Sequence, residues 1–133
     1  MNGKWKSTKT ADFEANIFEA AANGKLTSII YLLANGANVN QKYSKYLDHD
    51  GLDMNNSTPL HFSSRYGHLS VVEYLVNQKA DINAKDKNDW TPLHYAVYNG
   101  HLSVVEYLVN HKADINAKST SVEFLYLIRL LFI

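Results

Sequence analysis

The chain has 133 residues, 13 lysines and arginines set against 13 aspartates and glutamates, 46% hydrophobic residues and no cysteine. That length suits one domain with a core of its own, and the balanced charge lacks the basic excess that holds a nucleic-acid backbone or an anionic membrane. The missing cysteines remove disulfide scaffolds, thiol nucleophiles and cysteine zinc sites together.

In chain order, Met1 to Thr10 is polar and lysine-bearing and lacks the apolar stretch of a secretory signal, so an intracellular, cytoplasmic location is expected. Asp12 stands where it can cap a helix that places Ile17, Ala20 and Ala21 on one face. Gly24-Lys25-Leu26 then precedes Ile29-Ile30-Tyr31-Leu32-Leu33, and the segment closes with Gly36-Ala37-Asn38-Val39-Asn40. Tyr43 to Leu52 has no counterpart elsewhere in the chain.

Two near-copies follow. Thr58-Pro59-Leu60-His61 recurs 33 residues later as Thr91-Pro92-Leu93-His94, Gly67 to Asn77 recurs unchanged as Gly100 to Asn110, and Lys79 to Lys85 recurs as Lys112 to Lys118. A threonine N-cap followed by proline at the first helical position starts a helix at Pro92, and Leu93, Ala96 and Val97 continue it until Asn99-Gly100. Val104, Val105, Leu108 and Val109 then mark the inner face of a second helix, with Ser103, Glu106 and Asn110 away from it. Ala113-Asp114-Ile115-Asn116 breaks the helical period and reads as an extended lead into a turn. The upstream segment is a diverged third copy, offset by 43 residues, so Tyr43 to Leu52 is a ten-residue insertion between the first two units.

After Lys118 the pattern stops. Val122 to Ile133 is apolar but about half the length of the roughly 20 residues that cross a bilayer, and Glu123 and Arg129 interrupt it. No membrane association is expected. The segment reads as a cap, a truncated further repeat, or a self-association patch.

Thr91 to Ala96 resembles the Thr-Pro-Leu-His-x-Ala signature of the ankyrin repeat at all five specified positions, and residues 58 to 63 differ only in Ser63. The resemblance implies an all-α solenoid of stacked helix-turn-helix units joined by β-hairpin-like loops. It would occupy a domain over 1–118, with repeats at about 12–42, 53–85 and 86–118, the insertion at 43–52, and the apolar cap at 119–133. Where ankyrin repeats usually carry turn glycines, this chain has Asn56, Asp89, Lys79 and Lys112. Each is expected to be held left-handed, at roughly 1 kcal/mol or somewhat more. Only the first unit keeps the glycine after its second helix, Gly36.

For function, the resemblance implies a scaffold or adaptor that binds another protein through its hairpin tips and concave helix face. An inhibitory regulator that occludes a partner enzyme, or the interaction part of a larger protein such as a channel, are the alternatives. Carried over by position, the contact residues are Met54, Asn55, Ser57, Arg65 and Tyr66 in the second unit and Lys87, Asn88, Trp90, Tyr98 and Asn99 in the third. The insertion adds Tyr43 and Tyr46 on the same side. Comparing the two copies points the same way, because Ser57 against Trp90, Arg65 against Tyr98 and Tyr66 against Asn99 are their strongest contrasts. Aromatic residues and arginine are the commonest interface anchors.

No catalytic site is expected, since no nucleophile-and-base pair, glycine-rich phosphate loop or carboxylate pair occurs at informative spacing. Asp53, Asp86 and Asp89 fall in turns, where aspartate serves the backbone. His61, His68, His94 and His101 recur two per unit, which marks them as structural; His49 lies alone in the insertion between Asp48 and Asp50. No metal or cofactor is expected.

Overall fold

The computed structural model describes residues 16–44 and 53–117. Within them lie six helices and no strand: α1 (Ile17–Ala22), α2 (Leu26–Ala34), α3 (Pro59–Tyr66), α4 (Leu69–Asn77), α5 (Pro92–Tyr98) and α6 (Leu102–Asn110). All are shorter than the roughly 12 to 15 residues at which an isolated helix becomes marginally stable in water, so each depends on its neighbours.

The first helices start where their caps dictate. Thr58 and Thr91 accept the N–H of His61 and His94 through their hydroxyls, while the histidine Nδ1 atoms accept the threonine N–H groups at 3.0 and 2.9 Å. The histidine thus takes the place that glutamate or glutamine holds in a capping box. In the first unit Asn16 caps α1, accepting the N–H of Phe18 at 2.7 Å, and Asp12 lies outside the described residues.

The helices form two layers. The odd-numbered helices pack on one another more closely than the even-numbered ones, which follows from the small residues Ala20, Ala21, Ser63, Ser64 and Ala96 on their faces, all fully buried. Val71, Val72 and Leu75 of α4 and Val104, Val105 and Leu108 of α6 close the core from the other layer. Burial of these side chains, at roughly 25 cal/mol per Å² of apolar surface, is the main stabilising term.

Polar ties repeat at each junction. His68 Nε2 bonds the Ala22 carbonyl at 2.8 Å and His101 Nε2 bonds that of Arg65 at 2.9 Å, each ring lying over a glycine of the preceding unit. A Cβ on Gly24 or Gly67 would meet the ring at 2.6 or 2.5 Å, and both glycines have positive φ. On the opposite edge Asn40 Oδ1 accepts the Asp81 N–H, and Asn83 Oδ1 accepts the Asp114 N–H, both at 2.7 Å.

The turns take the strained conformations expected of them: φ is +65° at Asn56, +63° at Asp89, +73° at Lys79 and +72° at Lys112. The lysines complete six-to-one turns, in which Ala80 N–H bonds the Leu75 carbonyl at 3.0 Å and Ala113 N–H that of Leu108 at 2.9 Å. Gly36, at φ +97°, does the same work in the first unit without a side chain to strain. Lys79→Gly and Lys112→Gly are therefore expected to stabilise the protein by about 0.5–1 kcal/mol each, after the entropy that glycine adds to the unfolded chain. Urea unfolding midpoints of the single and double variants measure this; unchanged or lower midpoints refute it.

Candidate functional site

The third hairpin is organised by one buried carboxylate. Asp86 Oδ1 accepts the N–H groups of Asn88 and Trp90, both at 2.9 Å, and Oδ2 accepts the Tyr95 hydroxyl from α5. Three donors on one aspartate fasten the hairpin tip to the helix behind it. Burial, reinforced by that carboxylate, pushes the Tyr95 hydroxyl well above the ordinary tyrosine range, so it remains a donor. The Trp90 carbonyl is held from the other side by His61 Nε2 at 2.8 Å. With its backbone held at both N–H and carbonyl, Trp90 presents its ring against Tyr95 and Tyr98, at centroid distances of 5.0 and 5.6 Å.

The second unit supplies the facing wall. Arg65, only 7% exposed, lays its guanidinium 4.6 Å from the Tyr66 ring centre. Asp53 accepts the Asn55 N–H at 3.1 Å and the Lys87 ammonium at 3.3 Å, and the two hairpins are also joined by Lys87 N–H on the Asn55 carbonyl at 3.0 Å. The Asn55 N–H, with Lys87 beside it, holds the Asp53 carboxyl below its ordinary range. Between these walls lies a cleft of about 360 Å³ lined by Asp53, Arg65, Asn88, Trp90, Tyr95, Tyr98 and Asn99.

Five of the expected contact residues, Arg65, Asn88, Trp90, Tyr98 and Asn99, thus meet in one cleft. Asn55 and Lys87 sit at the hairpins beside it, and Tyr66 supports Arg65. Met54 and Ser57 are a correction: both are fully buried, Met54 in the core and Ser57 beneath the hairpin, and neither presents a side chain to a partner. The register explains Ser57. It occupies the slot of Trp90, but its side chain is too short to emerge. Tyr43 is a second correction, since its ring packs edge-on at 5.1 Å against both Phe18 and Phe62 and so belongs to the core margin. Tyr46 lies outside the described residues, as do His49 and Val122 to Ile133.

Asp53 and Tyr95 line the cleft although neither was expected there. For Tyr95 a signal existed, the Phe62-to-Tyr95 difference between the copies, but it amounts to one hydroxyl whose partner lies nine residues away. Among the described residues no three histidines or carboxylates gather where they could hold a metal ion, and no helix is long and apolar enough to cross a membrane. In comparison with known families, a model for ankyrin repeats in three copies matches residues 17–119.

His61 and His94 are buried in the array, and desolvation lowers the pKa of each from the ordinary 6.5 to about 4. The geometry agrees, because each Nδ1 faces a backbone N–H and has no room for a proton of its own. The unfolded chain therefore takes up protons first as pH falls below 6.5, and the stability contributed by the neutral rings is progressively lost between pH 6.5 and 4. By pH 5.5 the loss should be about 1–2 kcal/mol per histidine. Asp53, held below the ordinary carboxylate range, titrates lower still. Urea midpoints at pH 7.5 and 5.5 test this, and a flat profile over that window refutes it.

Proposed function

The chain belongs to the ankyrin repeat family, and from that premise we propose that it acts as a scaffold or adaptor holding another protein in the cleft between its second and third units. Repeats of this family are generally protein–protein interaction modules. The observation that carries the reading is the convergence of Arg65, Asn88, Trp90, Tyr98 and Asn99 on one cleft. They come from two first helices and a hairpin tip, and all but Asn88, whose counterpart Asn55 is identical, occupy positions at which two otherwise near-identical units contrast most strongly.

Tyr98 supports it further. It is 74% exposed, on a helix whose other residues from Pro92 to Val97 are all buried. A large aromatic side chain left in water beside a second one, Trp90, is the composition of an interface anchor. Arg65 gives the opposite wall a planar donor whose position is set by packing, so little side-chain entropy is lost when a partner meets it. Catalysis has no part in this reading.

Affinity capture with the intact chain and with a Trp90→Ala, Tyr98→Ala double variant tests it. The Trp90 backbone bonds do not need its side chain, so the variant should keep its helical circular dichroism while losing its partner by about tenfold or more. Equal recovery by a folded variant refutes the cleft as the binding site.

A further inference from the structure

Resting on that reading of the cleft, we propose that it is a receptacle for one large uncharged side chain, aromatic or branched aliphatic, carried on an extended segment of the partner. Its volume of about 360 Å³ lies near the lower end of the roughly 300–1,000 Å³ typical of ligand pockets. That accommodates a bulky side chain with its adjoining backbone. The wall is aromatic: Trp90 is inclined to Tyr95 by 56° and to Tyr98 by 71°, so the three rings do not stack flat upon one another. An aromatic guest can meet such tilted rings edge-to-face, and a branched aliphatic one can pack against their faces.

The charges around the cleft decide the class of guest. Lys87 already lies against the Asp53 carboxylate at 3.3 Å. The lining itself carries one carboxylate, Asp53, and one guanidinium, Arg65, so its formal charges are of opposite sign and equal number. With the charges balanced in this way, a charged guest would be dehydrated without gaining a counter-charge. Aromatic faces beside a carboxylate would suit a cation, but here the same cleft is lined by the Arg65 guanidinium. At the rim Asn88 and Asn99 are neutral amides, and Asn99 Nδ2 donates to the Tyr95 carbonyl at 2.9 Å. Amides carry donors and acceptors together, which matches the alternating N–H and C=O of an extended main chain.

The test titrates the isotope-labelled full chain with three probes, N-acetylphenylalaninamide, N-acetylargininamide and N-acetylglutamate α-amide, and follows the Trp90 indole N–H and the Asn88 and Asn99 amide signals by NMR. The neutral probe should give saturable shifts confined to the cleft, weakened about fivefold or more by Tyr98→Ala. That variant should retain its thermal midpoint, because the side chain is exposed. Tighter binding of either charged probe, shifts scattered over the surface, or undiminished binding by Tyr98→Ala would overturn the proposal. The two readings fail differently. If the double alanine variant loses its partner while the phenylalanine probe does not bind, the cleft remains the binding site and the uncharged receptacle falls. If the partner is retained by that variant, the cleft reading falls, and the partner's side chain falls with it as the occupant.

Discussion

The array depends on a neutral histidine in the first turn of two short helices. In the second unit one ring makes three connections. Nδ1 of His61 satisfies the backbone N–H of the capping threonine, the ring fills space next to the Tyr95 ring at 5.8 Å, and Nε2 reaches the Trp90 carbonyl in the next unit. Helix initiation, core filling and the joining of neighbours are therefore coupled. A helix of eight residues has little stability of its own, and here its cap is also a tie to the following repeat. Cooperation between units follows from that shared residue.

The same coupling explains how a cleft with defined walls arises on a stack of short helices. Trp90 is not placed by its own packing alone. Its N–H is held by Asp86, its carbonyl by His61, and Asp86 is in turn held by Tyr95. A side chain whose backbone is fixed at both ends can stand partly in water without wandering, which lowers the ordering cost of binding. Structural and binding roles are separated by atom within one residue: the main chain belongs to the array, and the indole belongs to the cleft.

Much of this was legible in the sequence because it is local and repeated. Threonine and proline start α3 and α5, the apolar pattern of α4 and α6 matches their buried faces, and four non-glycine residues adopt the left-handed turns that the repeat demands. Burial at the hairpins was less legible. Whether a side chain in a given slot reaches solvent depends on its length, as the contrast between Ser57 and Trp90 shows. Asp53 was read as a turn former, which it is, but its second oxygen meets Lys87 across 34 residues of chain. Single-sequence patterns carry no signal for a contact at that separation. Tyr43 was displaced from its expected role because Phe18 replaces the histidine found in the later units, leaving an apolar niche that an aromatic ring completes.

The insertion leaves a geometric trace with a consequence for how such a chain can vary. In the third unit a single residue, Asp86, both pairs its N–H with the Trp90 carbonyl and bends the tip through its carboxylate. In the second unit the two tasks are divided: Tyr43 supplies the backbone pairing, with its N–H on the Ser57 carbonyl at 2.8 Å, and Asp53 supplies the carboxylate turn at Asn55. The pairing and the turn are thus made by Tyr43, Asp53, Asn55 and Ser57, which stand on either side of residues 45–52 in the sequence. Closing a longer loop costs only about 0.6 kcal/mol for each doubling of its length. That position is therefore permissive, a place where segments of other lengths and compositions can be exchanged during divergence or engineering while the helices beneath keep their alignment.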